Sequence, residues 1–150
     1  MNQVINFYHL REAFGDFSNF AWYAIELDGK IWPTSEHYFQ AQKFAGLPDE
    51  EAVRAAKSAR EAAEMGRDRQ RPLRPDWNEL KDDVMRKAVF AKFTQHGELR
   101  DLLLSTGDAT LVEHTTNDNY WGDGGDGSGK NMLGKILMEV REQLRSAASK

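Results

Sequence analysis

The segment Ala24-Ile-Glu-Leu-Asp-Gly-Lys-Ile-Trp32 alternates apolar and polar side chains about Asp28-Gly29. Asp-Gly supplies the positive φ angles of a tight type I′ turn, so the alternation predicts an antiparallel hairpin. Pro33-Thr34 stops the second strand. Thr34 or Ser35 can then cap a helix running to about Ala45, with Gly46 just past its end. Leu47-Pro48-Asp49 opens a second helix, and the capping-box pattern Ser58-Ala-Arg-Glu61 opens a third that ends near Gly66. Asp76 caps the longest helix, which runs until Gly97. Its apolar stripe is Trp77, Leu80, Val84, Ala88 and Ala91, with Phe90 and Phe93 beside it. Leu99 to Leu104 form a short helix ending at Gly107, and Leu111 to Thr115 a short strand. Met132, Leu133, Ile136, Leu137, Val140 and Leu144 mark the buried face of a final amphipathic helix. Neither a repeat nor a linker interrupts the pattern. It predicts an α+β fold, predominantly helical with a small antiparallel sheet, in a single domain over residues 1–150.

Composition narrows the classes. With 40% hydrophobic and 29% charged residues in 150, the chain is globular rather than disordered. It has no cysteine, which removes disulfides, thiolate nucleophiles and cysteine-bound metals and suits a reducing cytosol. A cytoplasmic location is expected. Met1 to Leu10 lacks the basic-then-apolar order of a signal peptide, and no apolar run is long enough to span a bilayer. A net charge of −4 argues against a dedicated binder of nucleic-acid backbone, but leaves room for a local cationic pocket. His9, His37, His96 and His114 show no HxxxH or HExxH spacing, and there is no GxSxG elbow. Neither a metal nor a cofactor is expected, and the oligomeric state is not encoded.

Three polar regions are candidates for chemistry. At about 100° per residue, Glu36, Gln40 and Lys43 share one helical stripe, so a carboxylate, an amide and an amine point together. The alternative for Glu36 is a first-turn acid placed there by the helix dipole. His37 reads as a packing or hydrogen-bonding residue. The second region, Asn117 to Lys130, has five glycines in eight residues (Gly122 to Gly129), with Asp118, Asp123, Tyr120 and Trp121 among them. That much glycine is entropically costly for a plain connector. Aromatic side chains in a polar loop usually meet something flat or apolar. The loop runs into a helix start at Asn131, where peptide N–H groups attract phosphate. Gly124 to Lys130 fits GxxxxGK, but Asn131 replaces the magnesium-binding Ser or Thr and no long strand precedes it, so an NTPase is rejected. The acid spacing also fails for a calcium loop. The third region is the arginine run from Arg60 to Arg74, mostly a solvated face, from which one or two side chains could grip a phosphate. Carboxylates and an amine suit cleavage of a glycosidic bond.

The motifs Phe17-Ser-Asn-Phe20, Trp32-Pro-Thr-Ser-Glu-His-Tyr-Phe-Gln-Ala-Gln-Lys-Phe44, Met65-Gly-Arg-Asp68, Pro72-Leu-Arg-Pro-Asp-Trp77, Tyr120-Trp-Gly-Asp-Gly-Gly125 and Gly129-Lys-Asn-Met-Leu-Gly134 together resemble the YbiA-like, or NADAR, superfamily over nearly the whole chain. The resemblance implies a compact, largely helical fold and an N-glycosidase. One branch acts on ribosylamino-pyrimidine phosphate intermediates of riboflavin biosynthesis. Another removes ADP-ribose from guanine in nucleic acid. The chain resembles the first more closely, so a small phosphorylated N-riboside is the expected substrate and ADP-ribosylated guanine the alternative.

By position, the resemblance places catalytic roles on Glu36 and on Lys43, which in the guanine branch is thought to attack the sugar as a Schiff-base nucleophile. Asp118 and Asp123 join them as acids. Substrate contacts are expected at Asn19, Phe20, Gln40, Arg67, Trp77, Tyr120, Trp121, Gly122 and Asn131. Tyr120 or Trp121 would stack on the base, while arginine and backbone N–H groups hold the phosphate. A module that binds ADP-ribose or a related nucleotide without cleaving it would share the aromatic loop but would not need Glu36 and Lys43.

Overall fold

The hairpin forms where Asp-Gly dictates it. Strands β2 (Ile25–Leu27) and β3 (Lys30–Trp32) pair antiparallel, with Ile25 opposite Trp32 and Leu27 opposite Lys30. Asp28 and Gly29 take φ of 56° and 78°, as a type I′ turn requires. The structure is a computed structural model that describes residues 3–148. Around the hairpin the chain order is β1 (Val4–Phe7), a 3-10 turn Gly15–Phe17, β2, β3, α1 (Ser35–Ala41), a 3-10 turn Gln42–Phe44, α2 (Pro48–Arg54), α3 (Ala59–Arg67), α4 (Trp77–Gln95), α5 (Gly97–Ser105), β4 (Thr110–Glu113) and α6 (Met132–Ala148). The fold is α+β. Among the described residues no helix is long and apolar enough to cross a membrane.

The chain clusters into two compact units. One spans Asn19–Lys92; the other holds the described residues up to Ser18 and from Phe93 onward. In the first, Ile25 and Trp32 of the hairpin bury against Tyr38, Ala41 and Phe44, with Val53, Ala62 and Ala88 completing the core. Alanines at 41, 62 and 88 leave little side chain between helices, so backbones approach closely. The caps follow the sequence: Thr34 accepts from the His37 N–H at 3.1 Å, and Ser58 from the Glu61 N–H at 3.0 Å. Gly46 adopts φ of 84° just past the end of the helical segment. Asp76 precedes α4, but its carboxylate is turned to Arg74, 2.7 Å away.

In the second unit, β1 and β4 pair in parallel, Val4 opposite Thr110 and Phe7 opposite Glu113. The sequence pattern places a strand near Leu111 but gives no sign of β1 or of the parallel pairing. A four-residue strand whose partner lies at the other end of the chain leaves no local signature. Phe7 and Phe17 meet edge to face at 5.8 Å, Phe17 and Phe93 at 5.7 Å. Leu111, Leu133, Ile136, Leu137 and Val140 are buried in this unit.

Candidate active site

The first unit carries an unusually polar buried helix. Every residue of α1 is buried, including Ser35, Glu36, His37 and Gln40. Such groups must be paired. Asn19 fixes the helix start: its side-chain oxygen accepts from Ser35 Oγ at 2.7 Å, its carbonyl accepts from the Glu36 N–H at 3.2 Å, and its amide donates to Met85 Sδ at 3.2 Å. His37 is clamped between Thr34 Oγ1, 2.7 Å from Nδ1, and the Ala56 carbonyl, 3.0 Å from Nε2. A carbonyl only accepts, so Nε2 carries the proton and Nδ1 accepts a hydrogen bond from the threonine hydroxyl. Burial pushes the His37 pKa below its ordinary 6.5, with the Ala56 bond and Glu61 opposing. His37 is a neutral structural group.

Glu36 and Gln40, each 7% exposed, are joined by a 2.8 Å hydrogen bond from Gln40 Nε2 to Glu36 Oε2. Lys43 stands in the 3-10 turn Gln42–Phe44 that follows α1, close enough for the Glu36 charge to act on it. Its amine donates to the Gly66 carbonyl in the last turn of α3, at 3.0 Å. Burial lowers the Lys43 pKa; the Glu36 charge raises it, and Arg67 and Lys81 lower it further. The outcome is a half-buried lysine with a pKa below its ordinary value, within electrostatic reach of a buried carboxylate. Trp77 is itself buried, packs on Phe39 at 5.1 Å and lies 5.9 Å from Lys43 Nζ, so it backs the lysine. Phe20 is the more open aromatic, 38% exposed, and Trp22, which the sequence reading passes over, is 63% exposed.

The arginine run resolves into paired and unpaired members. Arg60 pairs with Glu64, Arg71 with Asp49 and Arg74 with Asp76. Arg74 also donates its backbone N–H to the Lys43 carbonyl at 3.0 Å, which ties the Pro72–Trp77 segment to the lysine turn. Among the described residues of the run, Arg67 and Arg69 are in no ion pair, and Arg67 is the one whose charge acts on Lys43.

In the second unit the glycine-rich loop is a folded knot. Asp123 is buried and its carboxylate accepts from the Thr115 N–H at 3.1 Å, the Gly125 N–H at 2.9 Å and His114 Nδ1 at 2.8 Å. Burial acts to raise its pKa, but these donors outweigh it and hold the carboxyl below the usual range. Asp118 Oδ1 accepts from the Tyr120 and Trp121 N–H groups, both at 2.8 Å. Asn131, at φ of 52°, pins β4 from both directions: Oδ1 accepts from the Glu113 N–H and Nδ2 donates to the Leu111 carbonyl, each at 2.9 Å. The N–H groups of Asn131, Met132 and Leu133 bond to the carbonyls of Gly122, Tyr120 and Trp121. The expected phosphate site at the start of α6 is therefore corrected: loop carbonyls already take the donors that a phosphate would need. Gly122 is glycine because a Cβ would lie 2.7 Å from Thr115 Cγ2 and 2.8 Å from the Asp118 carbonyl. Tyr120 and Trp121 stack edge to face at 4.9 Å, with Lys130 Nζ 5.3 Å from the tyrosine ring.

The structure thus brings Asn19, Glu36, Gln40, Lys43, Arg67 and Trp77 together around α1. Asp118, Asp123, Gly122 and Asn131 build the loop that carries Tyr120 and Trp121. Comparison with known proteins follows the same pattern. The model of the NADAR domain family matches residues 6–145. The N-glycosidase YbiA of Escherichia coli (strain K12) is 62% identical over 141 residues, covering 94% of this chain and 88% of that protein. A riboflavin biosynthesis protein of Vibrio vulnificus is 46% identical over 148 residues, covering 99% of this chain and 40% of the relative. The NMR structure of E. coli YbiA superposes with a TM-score of 0.92 at 58% identity, over 100% of this chain and 90% of that one.

Proposed function

Because the chain belongs to the NADAR domain family, we propose that it is an N-glycosidase that hydrolyses ribosylamino-pyrimidine phosphate intermediates of riboflavin biosynthesis. It is a hydrolase of N-glycosyl compounds and takes a small N-riboside. Water adds across the bond: C1′–N breaks, C1′ gains a hydroxyl and the base leaves as an amine with a proton. The observation that carries the reading is a buried carboxylate, Glu36, within electrostatic reach of a lysine whose pKa is lowered by burial.

Glu36 takes a proton from the attacking water or returns one to the leaving amine. Lys43 attacks C1′ through its neutral lone pair; the base departs, and water then releases the sugar phosphate and restores the lysine. Deprotonation of Lys43 is the condition for this route; burial lowers its pKa in that direction, Glu36 opposes, and Arg67 and Lys81 add to the lowering. Arg67 is the arginine best placed to receive the substrate phosphate, since it is in no ion pair and, unlike that of Arg69, its charge acts on Lys43. The reaction is assigned to the cytoplasm, which the cysteine-free composition suits. Incubation with a ribosylamino-pyrimidine phosphate and with ADP-ribosylated guanine, following sugar release from each, tests the assignment. Faster release from the pyrimidine by an order of magnitude or more supports it. Release from guanine alone moves the chain to the other branch, and binding without release makes it a binding module.

A further inference from the structure

The proposed reaction uses Glu36 and Lys43 but leaves Gln40 without a task. Gln40 stands one turn beyond Glu36 and is equally buried. Its Nε2 donates to Glu36 Oε2 at 2.8 Å, while its own Oε1 is buried with no hydrogen-bond partner. An unpaired buried carbonyl is unfavourable and calls for a cause. Rotating the amide by half a turn would set Oε1 against the carboxylate, acceptor against acceptor, which only a protonated Glu36 could tolerate. The amide therefore gives its N–H to Glu36 at the expense of its carbonyl.

Gly66 makes this placement possible. A Cβ at residue 66 would fall 1.9 Å from Gln40 Oε1 and 2.6 Å from Cδ. Gly66 lies within α3 without a positive φ, so the helix itself would favour alanine there. The same residue offers its carbonyl to Lys43 Nζ at 3.0 Å. One glycine thus sets the position of the amide that holds the acid and of the amine beside it.

We propose that Gln40 is a positioning residue for Glu36, locked by Gly66, which keeps the carboxylate charged and aimed while the Gly66 carbonyl orients Lys43. This rests on Glu36 carrying the reaction. Lys43, on which the Glu36 charge acts, also feels Arg67 at the end of α3 and Lys81 on α4, and all three cations remain when Gln40 is changed.

The test is the pH profile of kcat/KM for the full chain and for Gln40→Met, which keeps the length and removes the N–H. The acid limb should move up by about one pH unit, the ordinary worth of a charge-assisted hydrogen bond. With it, kcat should fall by about tenfold or more while KM stays within about threefold. A fall in kcat with an unmoved acid limb makes Gln40 a packing residue and overturns the proposal. A rise in KM alone makes it a substrate contact, with the same consequence. Should Gln40→Met fail to fold by urea titration, Gln40→Asn, whose shorter amide cannot span to Glu36, must show the same displaced limb. Glu36→Gln run alongside separates the two levels. Persisting turnover there refutes the function assigned to Glu36 and this inference with it, whereas a dead Glu36→Gln beside an unmoved limb in Gln40→Met refutes this inference alone.

Discussion

Gly66→Ala is the smallest change that should disconnect the acid from its support. The new Cβ would lie 1.9 Å from Gln40 Oε1, 2.6 Å from Cδ and 3.1 Å from Gln40 Cβ. The first two contacts are impossible, and the third is tight against a backbone-anchored atom, so the Gln40 side chain must swing away from Glu36. Forcing a methyl into a packed site costs about 1–3 kcal/mol. Alanine in place of glycine inside a helix returns about 1 kcal/mol. The net loss is about 0–2 kcal/mol, which a domain of ordinary stability survives. Activity should suffer more, with kcat/KM down by about tenfold to a hundredfold as Glu36 loses the hydrogen bond from Gln40. Urea midpoints and steady-state kinetics measure the two sides. Adding Gln40→Ser removes the overlap and should restore stability without restoring kcat, a non-additive pair. Full activity and unchanged stability in Gly66→Ala would refute the placement of the Gln40 amide against α3.

Other parts of the structure give further expectations. Asn131→Ala removes both bonds that pin β4 and leaves alanine at positive φ, for a loss of about 3 kcal/mol in urea unfolding. Asn131→Gly should lose about 1 kcal/mol less, since glycine adopts that backbone freely, and equal losses would contradict the strain argument. The folded His37 pKa lies below the unfolded value of 6.5, so the unfolded chain binds more protons as pH falls through 6.5. Stability should decline there and be flat above it. His37→Gln should remove that slope in urea midpoints taken across the range. Borohydride added during turnover should leave a sugar-phosphate adduct on Lys43, detected by mass spectrometry of peptides. Turnover with an unmodified lysine would exclude the imine.

Local chemistry was legible and long-range chemistry was not. Asp28-Gly29, Ser58-x-x-Glu61 and the stripe of α4 act within a few residues, and each element forms where its signal stands. Glu36 and Gln40 meet because a step of four works on any α-helix. The step to Lys43 crosses into a 3-10 turn after Ala41, and the hydrogen-bond partner it finds, the Gly66 carbonyl, belongs to another helix and leaves no local signal. The glycine-rich loop advertised itself by its cost in entropy, but the contacts that require its glycines and acids were not visible in the sequence. Its acids accept backbone N–H groups and its glycines admit close contacts, so Asp118 and Asp123 shape the loop that presents Tyr120 and Trp121. Only coordinates could separate Arg67 from the paired arginines around it, because pairing depends on where Asp49, Glu64 and Asp76 fall.

Glu36 is the group proposed to handle the proton in glycosidic cleavage. The decisive measurement is hydrolysis of a ribosylamino-pyrimidine phosphate by Glu36→Gln, with substrate affinity determined on the same protein. Turnover should be abolished while affinity stays within about tenfold, a change of roughly 1.4 kcal/mol or less. Hydrolysis at the wild-type rate would contradict the account and leave Glu36 as a helix-start acid favoured by the dipole alone.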